Sequence, residues 1–96
     1  MKWYKDLFLG DKAAPDVRKI KRQIKNKRLT PNVYLISLAS NPQNLLDVIP
    51  TLNLLQRGYP KEGIRVVGLA VGREEALEVV RRIVDETYQK TGTTNI

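Results

Sequence analysis

The residues in this chain best equipped for chemistry are cations. Arg18, Lys19, Lys21, Arg22, Lys25, Lys27 and Arg28 crowd one short stretch. Ammonium and guanidinium groups at this density suit phosphate recognition, which is electrostatic, salt-sensitive and largely blind to base sequence. No carboxylate within the stretch stands at i+4 spacing to relieve the repulsion. The alternatives are a solvated basic face or an anionic partner, with nucleic acid ahead of an anionic membrane surface. A second candidate is a small polar or anionic ligand held by Ser40, Asn41, Asn44 and Gly72, which fall where two apolar runs give way to helix-start signals. Neither loop has the glycine-rich phosphate pattern, and Glu74 and Glu75 put negative charge beside Gly72, so helix capping explains these residues as well.

Composition removes most catalytic classes. With no cysteine and no histidine, the chain lacks disulfides, thiolate nucleophiles, zinc sites of the common type and every mechanism that needs a histidine base. Outside the last helix the acids are Asp6, Asp11, Asp16, Asp47 and Glu62, and no spacing brings two of them together for acid–base work. No catalytic residue, metal ligand or cofactor is assigned. The formal charge of +7 is uneven: residues 1–30 hold ten Lys or Arg against three Asp, whereas residues 31–96 hold seven of each sign. A neutral core preceded by a basic segment is expected, and at 96 residues the whole chain is expected to be one domain. No signal-peptide core or spanning run is visible, so a cytoplasmic setting is expected.

The elements that must position these groups follow from periodicity. In residues 15–28, Val17, Ile20 and Ile24 recur at helical spacing, with Pro15 and Asp16 suited to a first turn, so the cations ride on a helix with a narrow apolar stripe. Residues 33–39 (VYLISLA) and 64–71 (IRVVGLAV) read as buried strands, and Gly68 inside the second marks a close approach by a neighbour. Between them, Asn41 and Pro42 signal a helix start, and Leu45, Val48, Ile49, Leu52 and Leu55 share one face at 100° per residue. That predicts a crossover helix over residues 42–57, kinked or split at Pro50, joining two parallel strands. A final helix runs to about Lys90 with Ala76, Leu77, Val79, Val80, Ile83, Val84 and Tyr88 inward and Glu78–Arg82, Arg81–Asp85 and Arg82–Glu86 pairs outward. Residues 91–96 should fray. The opening MKWYKDLFLG fits a helical face and nearly fits alternation, and its aromatics should tie the terminus to the core.

The opening KWYKDLFLG together with NLLDVIPTLNLLQRGYPKEGIRVVGLAVGREEALEVVRRIVDETY resembles a family of short, uncharacterised bacterial proteins of about this length. The resemblance covers nearly the whole chain. It implies an αβαβα domain in a bacterial cytoplasm, and its motifs are structural.

The expectation is therefore a small α/β domain with a parallel βαβ core at 33–90. Two strands make a marginal sheet, so a third should come from the N-terminus or from a second copy. A non-enzymatic binding module that self-associates is the function this favours. Leu46 and Leu54, which fall outside the sheet-facing stripe of the expected crossover helix, mark the dimer interface in that reading. A nucleic-acid-associated protein and a ligand-binding or enzymatic domain using the two loops are the alternatives.

Overall fold

The computed structural model describes residues 1–39 and 45–91, the last of these by its backbone alone. Four strands, β1 (Lys2–Leu9), β2 (Val33–Leu38), β3 (Leu46–Pro50) and β4 (Arg65–Val71), form one mixed sheet in the order β1-β4-β2-β3. Two helices, α1 (Val17–Lys25) and α2 (Arg73–Thr91), cover opposite faces. This is a small α/β fold, and the third strand expected from the N-terminus is β1, which pairs in parallel with β4.

The core strands do not run as the sequence suggests. β2 pairs with β4 antiparallel, with Val33 opposite Val71 and Leu35 opposite Leu69. Among the described residues no crossover helix joins them. Residues 46–50 instead turn back as β3, antiparallel to β2, and Thr51–Leu55 form a short 3₁₀ helix. Pro50 divides the segment, as its missing N–H demands, but the piece before it is a strand. Ala39 N–H donates to Leu45 C=O at 3.4 Å. With Leu38 opposite Leu46, this phase puts Pro50 at a position opposite Tyr34 where no ladder donor is needed, which an edge strand tolerates. The expected helix start at Asn41 and Pro42 lies outside the described residues, as does the expected frayed tail beyond Thr91.

Two apolar clusters sandwich the sheet. On one face Val33, Leu35, Ile49, Val66 and Leu69 meet Ile20 of α1 and Leu54 of the 3₁₀ helix; on the other Ile36, Val67 and Ala70 meet Ala76, Val79 and Ile83 of α2. Burial of each Val, Leu or Ile among them contributes about 1.5–3 kcal/mol. Thr30 and Thr51, both buried, close the first layer: Thr51 Oγ1 donates to Thr30 C=O at 2.9 Å, and the two hydroxyls lie 2.6 Å apart.

Gly68 is where the second layer closes. Val67 is the extra residue of β4, since Ser37 pairs with Val66 and Ile36 with Gly68, so Val67 and Gly68 both turn toward α2. A β-carbon on Gly68 would sit 3.0 Å from Phe8 C=O and 3.1 Å from Val79 Cγ1. The close approach expected there is present. Opposite the same bulge, β1 slips: Trp3 pairs with Val66 but Phe8 with Gly68, leaving residues 4–7 against Val67.

The inner face of α2 is Ala76, Val79 and Ile83, while Leu77 and Tyr88 are exposed. Its ion pairs also differ from those expected. Arg81 meets Glu78 at 3.3 Å and Lys90 meets Glu86 at 3.1 Å, but Arg82 Nη1 donates to the Leu9 carbonyl at 3.0 Å. A strand-end carbonyl without a ladder partner holds Arg82 in place of the intrahelical carboxylates.

Candidate polyanion-binding face

α1 is shorter than the basic stretch that builds it. Ile20 is buried, Val17 and Ile24 pack partly buried beside it, and this stripe docks the helix on the sheet as its spacing predicts. Asn26 caps the helix. Lys27 N–H donates to Ile24 C=O at 3.1 Å and Arg28 N–H to Gln23 C=O at 2.9 Å, a Schellman closure with Lys27 at φ +57° in the place usually given to glycine. Lys27 and Arg28 therefore lie past the helix, on the turn that leads to β2, and extend the cationic surface beyond the last helical turn.

All seven predicted cations occupy this one side of the molecule. Arg18, Lys19, Arg22, Lys25, Lys27 and Arg28 are exposed, and Lys21 is half-buried because its Nζ lies 5.1 Å from the centroid of the Trp3 ring. Arg22 divides the face into two recesses. One, of about 540 Å³, is lined by Met1, Trp3, Lys21, Arg22 and Lys25; the other, of about 350 Å³, by Lys19, Arg22, Gln23, Asn26 and Arg28. Among the described residues the ion pairs join α2 residues alone, so no carboxylate neutralises the α1 cations. Such an arrangement can take phosphates on either side of Arg22, with an aromatic surface and two side-chain amides at hand.

Trp3 was not assigned to this face by its sequence position. It sits sixteen or more residues before most of the cations, and only the pairing of Trp3 with Val66 along the sheet brings the ring beneath α1. The one available signal was the aromatic and cationic character of the opening segment itself.

The other predicted sites fare differently. Gly72 N–H already donates to Asn32 C=O at 2.7 Å, and Glu75 fills the start of α2 by accepting Lys12 N–H and Val71 N–H, each at 2.7 Å. Antiparallel pairing also puts Gly72 at the end of the sheet opposite Ala39 and Leu45, the neighbours of the loop that holds Ser40, Asn41 and Asn44. That loop lies outside the described residues; the cleft expected between it and Gly72 presupposed parallel strands, whereas β2 and β4 are antiparallel. Asp47 and Glu62, which no spacing brought together, line one cleft of about 310 Å³ with Ser37 and Tyr59. No group of three or more acids able to hold a metal occurs among the described residues.

Leu46 and Leu54, expected to mark a dimer interface, do not stand out on the surface. Leu54 is 5% exposed inside its own core and Leu46 packs partly buried against the α2 layer, whereas Leu45, Val48, Leu52 and Leu55 are exposed. A strand followed by a 3₁₀ helix turns side chains through different angles from those of an α-helix, so four of the five residues of the expected sheet-facing stripe face outward.

Comparison with family models, with curated proteins and with solved structures gave no match. The α1 face therefore rests on its own geometry.

Proposed function

We propose that the chain is a non-enzymatic binding module whose α1 face takes the phosphate backbone of a nucleic acid. The observation that carries this is the unneutralised group of Lys21, Arg22 and Lys25 lining one recess with Trp3, Lys21 over the ring, with a second cationic recess across Arg22. Phosphate contacts of this kind position a protein without reading sequence, and Trp3 adds a surface on which an unpaired base can stack. A membrane surface is the weaker reading, because the aliphatics of α1 are engaged with the sheet and leave no apolar face to enter lipid. No helix among the described residues is long and apolar enough to cross a membrane. The resemblance to short bacterial proteins supports a cytoplasmic setting for such a module.

Trp3 is the chain's single tryptophan, so its fluorescence reports on the site directly. Titration with duplex DNA, single-stranded DNA and RNA at about 50 mM salt should change that emission, and about four phosphate contacts give a log–log salt slope of roughly −3 to −4 on duplex. Charge reversal at Lys21, Arg22 and Lys25 should abolish binding. Absence of any binding at that salt concentration, or binding untouched by the reversal, refutes the proposal.

A further inference from the structure

The geometry points to β3 as a self-association edge: we infer that two copies pair their β3 strands antiparallel about a two-fold axis at Val48. This inference is independent of the polyanion reading.

Among the described residues β3 has a strand neighbour on one side only. The phase set by the Ala39–Leu45 bond and the Leu38–Leu46 register directs the N–H and C=O groups of Leu46 and Val48, and the C=O of Pro50, away from β2. Natural edge strands are usually blunted by lysines, irregularity or cover. β1, the other edge, has such features, with Lys2, Lys5 and its slipped register at residues 4–7. β3 is regular over Leu46–Pro50, and its one charge, Asp47, lies in the cleft with Ile49 and Ile64 on the α1 side.

The α2 side of this edge presents apolar side chains. Val48 is 38% exposed, beside partly buried Leu38 and Leu46. At 100° per residue, Leu77, Val84 and Tyr88 lie within about 40° of one another on α2. Arg82, which reaches Leu9 of β1, projects from the other flank of the helix, so this stripe leans toward β3. Leu77 and Tyr88 are each 57% exposed.

Two features select a second copy as the occupant. The edge is complementary to itself: with Val48 facing Val48 of the other copy, the two residues exchange both bonds, and each Leu46 N–H meets a Pro50 C=O across the axis, the proline's missing donor being the only loss. Asp47 then faces Ile49 rather than another acid. The charge distribution is the second feature. The excess positive charge lies in residues 1–30, on the β1 and α1 side, while residues 31–96 are balanced, so two copies approach through β3 with little repulsion. The product is a continuous eight-stranded sheet with both α1 helices on one face.

Sedimentation of the full chain at about 100 μM should give twice the 11.0 kDa chain mass. Val48→Lys sets like charges across the axis and should raise the dissociation constant at least about tenfold, with an unchanged circular dichroism spectrum. Because the chain has no cysteine, Val48→Cys can oxidise only to its own copy. A hydrogen-bonded antiparallel pair holds Cα atoms about 5.5 Å apart, within disulfide range, so this variant should cross-link while Leu29→Cys, on an exposed site elsewhere, should not. A monomer at that concentration overturns the inference. So does a dimer unaffected by Val48→Lys, or cross-linking no faster at position 48 than at 29.

Discussion

The side chain of Glu75 lies directly over the α-carbon of Gly10, so that a β-carbon on Gly10 would overlap Glu75 Cγ and Cδ. The carboxylate is held there by Lys12 N–H and Val71 N–H, one on each oxygen. Gly10→Ala should therefore destabilise the fold by about 1–3 kcal/mol, since Glu75 must give up these bonds to make room. Adding Glu75→Ala removes the overlap. Urea unfolding should show the double variant costing about as much as Glu75→Ala alone, a coupling of about 0.5–3 kcal/mol.

Lys27 occupies a left-handed conformation that costs an L-residue about 1–2 kcal/mol and a glycine almost nothing. Lys27→Gly should raise stability by about 0.5–1 kcal/mol, the remainder being offset by the freer unfolded chain. The same change removes a cation from the α1 face. Stability should rise while the salt slope of nucleic-acid binding becomes shallower by about one, a pair of opposite signs that thermal unfolding and fluorescence titration read separately.

At Gly68, backbone and side chains press from three sides: Phe8 C=O at 3.0 Å, Val79 Cγ1 at 3.1 Å and Ile36 Cβ at 3.3 Å from a notional β-carbon. Neither the β1 backbone nor two packed branched side chains can retreat easily. Gly68→Ala should cost about 1–3 kcal/mol by denaturant unfolding, although a strand ordinarily prefers alanine to glycine.

Leu54 and Leu55 are neighbours with opposite environments, 5% and 41% exposed. Leu54→Ala should cost about 2–5 kcal/mol by opening a cavity between the 3₁₀ helix and the sheet, while Leu55→Ala should stay within about 0.5 kcal/mol. An α-helix over residues 42–57 predicts the reverse, because it turns Leu55 to the sheet and Leu54 away from it. Comparing the two unfolding midpoints distinguishes the architectures.

Local pattern alone determined much of this protein. The lack of any charge in residues 33–38 and 66–71, with aliphatics at most positions, marks strands with both faces covered, and the Val17, Ile20 and Ile24 stripe is enough to dock α1 and turn its cations outward. The ridge of the candidate site was legible because charge density and helical spacing are properties of adjacent residues. Gly68 was legible for a similar reason, since a glycine within a buried strand has few explanations besides a close neighbour.

Tertiary structure decided the rest. Residues 46–55 place apolar side chains at spacings that fit a helix, and only their pairing with β2 makes the first half a strand; once 46–50 is a strand, no crossover remains and β2 and β4 run antiparallel. Strand direction is set by which distant edges meet, a choice between long-range contacts that a local window does not contain. That choice parted Gly72 from the neighbours of the Ser40 loop, buried Leu54 and turned Val48 to the open edge. It also carried Trp3 beneath Lys21, completing the basic face with a ring from the far end of the chain's first strand.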